Sequence, residues 1–233
     1  MAQKKQESRS KPRAAAKVRR VVSVLEKMYG EPPRGGRDGV LDSLISCILS
    51  QNTNDANSGR AWLRLKERFP TWRDAANARV RSIEAAIKPG GLAPSKSRRI
   101  KAILRQLHEE RGEYDLEFLR DMKDVEAFRF MTAMNGVGAK TAAVVLLFAL
   151  GRDIFPVDTH IHRIAQRLGL APEGSTRDGV FEIMKPLVPG GKAWSLHVNL
   201  IRFGRERCRK RNPLCGGCPL REECLYVRGS VSF

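Results

Sequence analysis

Apolar residues recur along this chain at the three- and four-residue spacing of an amphipathic helix. The first such stripe consists of Val18, Val21, Val22, Leu25 and Met28. Gly30 and the pair Pro32-Pro33 follow it, and these residues terminate helices. Similar stripes lie within residues 41–49, 61–69 and 100–107. Alternating strand patterns are missing, so the pattern predicts an all-α protein.

The segment 139–150 is apolar on nearly every face, which predicts a buried central helix. Shorter helices are predicted near 73–78 and 80–87. Further helices near 159–168, 175–187 and 192–207 complete the series.

The composition adds a strong positive charge to this picture. Lys and Arg number 43 against 25 Asp and Glu, a net charge of +18 on 233 residues. Hydrophobic residues at 42% suffice for a packed core in one large domain or two small ones. The imbalance indicates a polyanionic partner, and nucleic acid is the first candidate. No run of eighteen apolar residues occurs, so a membrane segment is not expected.

The N-terminal segment is basic and carries few apolar residues, with a lone Glu7 among residues 1–20. This composition predicts a disordered tail over residues 1–16. We recognise no signal peptide, and the segment lacks the Leu or Phe that a transit peptide would present on an apolar face. We therefore expect a cytoplasmic protein, associated with the nucleoid if it is bacterial.

Four cysteines form a compact pattern near the C-terminus, Cys-x6-Cys-x2-Cys-x5-Cys. They are Cys208, Cys215, Cys218 and Cys224. A reducing cytosol disfavours two disulfides. Zinc suits four thiolates, although zinc ribbons commonly use two Cys-x2-Cys pairs and this loop has one. The compact loop also suits a [4Fe–4S] cluster, which the spacing alone favours modestly.

The segment 134–141, Met-Asn-Gly-Val-Gly-Ala-Lys-Thr, joins a helix predicted over residues 125–134 to the apolar helix at 139–150. Gly136 and Gly138 permit a sharp turn around Val137, and the following helix start exposes N–H groups that can bind a DNA phosphate. An ordinary tight corner between helices fits these glycines about as well. Lys140 lies in the first turn of the apolar helix, where the positive helix end disfavours a cation. A neutral lysine amine can form a Schiff base with a sugar aldehyde, whereas a solvated lysine would merely touch phosphate.

Asp158 precedes the helix predicted near 159–168 and follows Pro156, so it is a candidate N-cap. A carboxylate at a helix N-terminus stays ionised. Such a group could also stabilise positive charge that develops on a sugar.

These three motifs together resemble the endonuclease III family, the iron–sulfur branch of the helix–hairpin–helix DNA glycosylases. The similarity covers roughly residues 20–226, and the motifs occur in family order. The resemblance implies a catalytic lysine at Lys140 and a catalytic aspartate at Asp158. It also implies a [4Fe–4S] cluster on the four cysteines, well ahead of zinc. Gln51, in Gln-Asn-Thr, would fill the gap left by an extruded base, and Leu92 would be a hydrophobic wedge.

The family fold implies two α-helical domains. One is a six-helix barrel with the hairpin over residues 33–152, and the other is an iron–sulfur domain formed by residues 17–32 and 153–228. The cleft between the two domains would bring the catalytic lysine and aspartate together. Arg209, Lys210 and Arg211 form a basic loop that we expect to contact the DNA backbone, as an alternative to a merely solvated loop.

By resemblance the chain is a bifunctional DNA glycosylase and abasic-site lyase that acts on oxidised pyrimidines in double-stranded DNA, as a monomer. Two alternatives stay open: a monofunctional thymine or uracil mismatch glycosylase, and a non-catalytic DNA-binding module. Asn135 and Ala139 replace the proline and arginine common in the family hairpin, so position 139 lacks the guanidinium that would contact a phosphate there. Cys47 stands where adenine-removing relatives carry a glutamate, which argues against adenine excision.

Overall fold

The structure is a computed structural model that describes residues 2–34 and 39–229. Within those ranges the chain forms eleven α-helices joined by turns and loops. They are α1 Ala2–Tyr29, α2 Val40–Ser50, α3 Asp55–Arg68, α4 Trp72–Asn77, α5 Val80–Ile87, α6 Ala93–Arg111, α7 Asp124–Ala133, α8 Ala139–Phe148, α9 Thr159–Arg167, α10 Arg177–Met184 and α11 Ala193–Glu206. Three short 3-10 helices lie at Lys88–Gly90, Glu117–Arg120 and Arg221–Glu223. The described residues contain no β-strand, which confirms the all-α prediction.

Local sequence explains where several helices begin and end. Thr71 and Asp74 form a capping box that starts α4, because each side chain accepts a hydrogen bond from the backbone N–H of the other residue. Gly112 ends α6 in the left-handed conformation at φ 76°, which costs glycine little. Such signals are read locally, which is why most helix positions could be predicted.

The chain divides into two compact units, residues 36–152 and residues 1–35 with 153–233. In the first unit α2 packs against α3, α6 and α8, and α8 also packs against α7. Six residues of α8 are buried, namely Thr141, Ala142, Ala143, Val145, Leu146 and Leu147. This helix is therefore central to its unit.

In the second unit α1 packs against α11, α11 against α9, and α9 against α10. Glu26 of α1 accepts a hydrogen bond from Ser195 at 2.6 Å and pairs with Lys192 at 3.0 Å. These contacts fix the first helix of the chain to α11, although most of the sequence separates them.

The two compact units have boundaries close to those of the predicted domains. The prediction divides the chain at 32/33 and 152/153, and the structure divides it at 35/36 and 152/153. The structure differs from the predicted disordered tail at 1–16, because α1 begins at Ala2 and Met1 lies outside the described residues. The Lys, Arg, Gln, Glu and Ala of this segment are good helix formers, and they extend the helix packed at Val18–Leu25.

No helix in the described part of the chain is long and apolar enough to cross a bilayer.

Candidate active site and cysteine centre

The Gly-Val-Gly turn links α7 to α8 and exposes a helix start. Gly136 adopts φ 77°, a left-handed conformation in which a side chain would be strained. Gly138 is the N-cap of α8, and no side chain caps the helix there. Val137 is buried between the two exposed glycines and anchors the turn. The first N–H groups of α8 are therefore available to an anion such as a DNA phosphate.

Lys140 lies in the first turn of α8 and is half-buried. Its Nζ is 3.9 Å from the Sγ of Cys47, a buried residue of α2. The next residue, Thr141, is buried as well. The amine is thus held against the packed α2–α8 interface, and a thiol is only a weak hydrogen-bond partner for it.

Gln51 is the residue that ends α2, and its amide is held at both ends. Its Oε1 accepts a hydrogen bond from Arg99 Nη1 at 2.7 Å. Its Nε2 donates to Thr141 Oγ1 at 3.4 Å. The structure therefore brings Gln51 next to the residue that follows Lys140.

Leu92 lies at the N-cap of α6, and the residue is 55% exposed. Its backbone is left-handed at φ 51°, which costs a non-glycine residue about 1–2 kcal/mol. An exposed apolar residue with a strained backbone makes Leu92 a candidate for a functional contact. Buried Lys96 supports the loop by donating from Nζ to the backbone oxygens of Leu49 at 2.7 Å and Gly90 at 2.9 Å.

Asp158 is the N-cap of α9, and its Oδ1 accepts a hydrogen bond from the N–H of Ile161 at 2.8 Å. The side chain is half-buried. Positive charge from Arg163 lies near enough to interact with it. Asp158 belongs to the unit that contains the cysteines, whereas Gln51, Leu92 and Lys140 belong to residues 36–152.

The four C-terminal cysteines line one small cavity together with Arg167 and Tyr226. All five cysteines of the chain are free thiols, which excludes disulfides in this structure. Burial raises the pKa of the Cys215 and Cys218 thiols, and the neighbouring Cys208 and Cys224 act in the same direction. Four thiolates at this spacing therefore need a strongly positive group to hold them.

Arg167 supplies part of the support for this cysteine loop. It is buried, and its Nη1 lies 3.4 Å from Cys208 Sγ and donates to the oxygen of Arg209 at 2.8 Å. Its own backbone oxygen accepts from the N–H of Tyr226 at 3.2 Å. Among the described residues no three Cys, His, Asp or Glu side chains converge as a single ion requires.

The basic loop between the first two cysteines is exposed. Arg209, Lys210 and Arg211 all point to solvent, although Arg209 Nε donates to the oxygen of Glu206 at 3.1 Å. Because Arg167 holds the backbone of this loop, the three cations are presented on a supported segment.

Comparisons with known proteins identify the family. Residues 45–189 match the model of the HhH-GPD superfamily of base excision DNA repair proteins. Endonuclease III of Sulfolobus acidocaldarius is 34% identical over 201 residues, 84% of this chain and 86% of that protein. A solved structure of a trapped endonuclease III–DNA covalent intermediate has a TM-score of 0.78 at 27% identity, covering 92% of this chain and 97% of that one. This chain belongs to the endonuclease III family.

One further relative is a longer protein than this chain. A DNA glycosylase of Arabidopsis thaliana is 41% identical over 175 residues, which are 74% of this chain and 60% of the plant protein. The chain therefore spans less than two thirds of that relative. The superfamily match includes Gln51, Leu92, Lys140 and Asp158, and it ends before the cysteines at 208–224.

Sequence reasoning missed two residues that organise this endonuclease III site. Arg99 bonds to Gln51, and Lys96 joins the wedge loop to α2. Both lie on α6, where basic residues are frequent, so no pattern distinguished Arg99. A lysine on the buried face of an amphipathic helix was the available signal for Lys96.

Proposed function

We propose that this chain excises an oxidised pyrimidine from double-stranded DNA through a Schiff base of Lys140 and then cuts the abasic strand. As a member of the endonuclease III family it is a DNA glycosylase and abasic-site lyase of base excision repair. The observation that carries the proposal is the position of Lys140, half-buried in the first turn after the hairpin and one residue from the Thr141 that holds Gln51.

Binding would begin with phosphate contacts. The N–H groups at the start of α8 favour an anion, and the exposed Arg209, Lys210 and Arg211 add positive charge. The net charge of +18 makes attraction to DNA strong and dependent on salt. A target base inside the stack is out of reach of an amine, so the nucleotide must be extruded. Gln51 and Leu92 would fill the space it leaves.

The chemistry would then pass through Lys140. Its Nζ attacks C1′ of the sugar through the nitrogen lone pair as the bond from C1′ to the base breaks, and the base leaves with the bonding electrons. The sugar ring opens and C1′ becomes an imine carbon bonded to Nζ. Loss of a proton from C2′ then breaks the C3′–O bond, which cuts the strand on the 3′ side. Asp158, with its carboxylate at a helix N-terminus, would stabilise the cationic sugar and assist the proton transfers.

The four cysteines fit a [4Fe–4S] cluster. Each thiolate of such a cluster binds a different iron, so the sulfurs need not converge on one ion as zinc demands. Cys208, Cys215, Cys218 and Cys224 would hold the cluster, which would offset part of their negative charge and fix the basic loop beside DNA. Its role would be structural. We further propose a monomer that acts in the cytoplasm, at the nucleoid in a bacterium.

Borohydride trapping tests the assignment of Lys140. Wild-type protein with abasic-site duplex should form a covalent protein–DNA adduct under reduction, and Lys140→Gln should form none. The variant should still bind the duplex, because the hairpin N–H groups are unchanged. Lys88→Gln, at an exposed lysine of the same unit, is the matched control and should trap like wild type. If Lys140→Gln traps and cuts as wild type does, the assignment is wrong.

Strand scission separates the alternatives. A monofunctional mismatch glycosylase removes thymine or uracil and leaves the abasic strand intact, and a non-catalytic module binds without changing it. A thermostable thymine-DNA glycosylase of known structure resembles this chain with a TM-score of 0.76 at 22% identity, which shows a shared fold alone. Cleavage of abasic duplex by the purified protein contradicts both alternatives.

A further inference from the structure

One side chain of α6 joins two segments that the proposed function uses. Arg99 lies in the second turn of α6, and its Nη1 donates to Gln51 Oε1 at 2.7 Å. A hydrogen bond from a guanidinium is charge-assisted and about twice as strong as a neutral one. Because Arg is a donor without an acceptor, the oxygen of the Gln51 amide must face Arg99, and the NH2 group must face away.

The same arginine packs beneath the hairpin. A Cβ built on Gly136 would lie 2.3 Å from Arg99 Nε and 2.7 Å from Arg99 Cδ, distances that real Cβ atoms essentially never show. The Arg99 side chain therefore contacts the hairpin backbone at the point where glycine leaves space. Gly136 has two roles here: it permits the turn at φ 77°, and it makes room for Arg99.

The NH2 group of the Gln51 amide contacts α8, the helix that carries Lys140. Gln51 Nε2 donates to Thr141 Oγ1 at 3.4 Å, and Thr141 follows Lys140. The Gln51 side chain is thus fixed between α6 and α8, with the hairpin against Arg99. A glutamine side chain that was free beforehand would lose rotamer entropy when it became ordered.

We propose that Arg99 is a positioning residue that holds the Gln51 amide in one orientation beside the hairpin and Lys140. This inference rests on the proposed function, in which Gln51 enters the gap left by the extruded nucleotide. Because the Gln51 amide is already ordered before DNA binds, no further entropic cost of ordering arises when it enters that gap. In this role Arg99 acts through its hydrogen bond to Gln51.

Arg99→Met is the informative variant, because the methionine keeps an apolar stem beneath Gly136 and removes every donor. Single-turnover release of thymine glycol from duplex DNA should fall about tenfold, the effect of losing one hydrogen bond to a charged group. Borohydride trapping on a single-stranded abasic oligonucleotide should stay at the wild-type level, since a single strand has no gap to fill. Arg105→Ala removes an exposed charge from the same helix and should leave both readouts unchanged.

A double-mutant cycle distinguishes positioning from general support. Gln51→Ala should slow excision, and adding Arg99→Met to it should slow excision no further. Additive losses, or an equal loss of single-strand trapping in Arg99→Met, would overturn the positioning role. So would an Arg99→Met variant that excises at the wild-type rate. A wild-type protein that neither excises thymine glycol nor cuts abasic duplex instead contradicts the proposed function itself.

Discussion

Replacing Lys96 by methionine tests whether one buried ammonium organises the loop that presents Leu92. Lys96 is 2% exposed, and it donates to the oxygen of Leu49 near the end of α2 and to the oxygen of Gly90 in the adjacent 3-10 helix. Leu49 lies two residues before Gln51, and Gly90 lies two residues before Leu92. The ammonium therefore connects the segments that carry both proposed gap-filling residues.

The magnitude follows from the two bonds. Each hydrogen bond to a charged group contributes about 1.5–3 kcal/mol, and a buried carbonyl left without a partner costs about 1–3 kcal/mol. Burying a charge is unfavourable, so removing the ammonium returns part of this energy, and the methionine fills similar volume. We expect Lys96→Met to lower the free energy of unfolding by about 2–4 kcal/mol.

Urea unfolding followed by circular dichroism measures this loss, and hydrogen exchange of the peptide spanning residues 88–95 locates it. Lys88→Met is the matched control, because Lys88 is exposed in the neighbouring 3-10 helix. The control should change the free energy of unfolding by less than about 0.5 kcal/mol. A Lys96→Met protein as stable as Lys88→Met, with unchanged exchange at 88–95, would refute the reasoning.

Lys96 should also make the free energy of unfolding depend on pH. Burial lowers the pKa of Lys96, and the positive charge of Arg99 lowers it further. Between that lowered pKa and the ordinary lysine value of about 10.4, the unfolded chain binds more protons than the folded one. The free energy of unfolding should therefore rise with pH in this window. Lys96→Met should lose this rise, whereas Lys88→Met should retain it.

Three further predictions concern single side chains. Leu92→Ala should slow lesion excision at least tenfold in single-turnover assays, while the free energy of unfolding changes by less than about 1 kcal/mol, because the residue is 55% exposed. Cys224→Ser should purify without the brown colour and iron content of an iron–sulfur protein; a coloured variant with full iron content would contradict the ligand set. Burial, with help from a hydrogen bond to Glu206, raises the pKa of Tyr29 to about 12, so its stabilising effect is present below about pH 10 and is lost as pH rises through 12. Tyr29→Phe should flatten the alkaline fall in unfolding free energy, as measured by urea titrations, and an unchanged fall would exclude this origin.

The resemblance and the motifs together were enough to propose most of the candidate site residues from the sequence. The hairpin at 136–138, Lys140 and Asp158 could be proposed because glycine, a helix start and an N-cap are local signals. The structure gave Asp158 its N-cap role through the bond to Ile161. Leu92 was proposed from resemblance, and its strained, exposed backbone adds an independent physical reason.

Other features had no local signal. Arg99 and Gln51 are 48 positions apart, and Lys140 and Cys47 are 93 apart. Basic residues are common throughout this chain, so Arg99 did not differ in the sequence from a solvated cation. The N-terminal helix also extends further than its sparse apolar content suggested.

The sequence by itself determined the helical class, the turn positions and the sets of chemically capable residues, because periodicity, glycine and cysteine spacing act over a few residues. Only the tertiary structure decided which of those residues meet. The packing of α2 against α6 and α8 placed a thiol beside Lys140, an arginine on Gln51 and an ammonium beneath the Leu92 loop. Such contacts depend on how helix faces interlock, so the residues that flank a side chain in the sequence do not identify its partner across the interface.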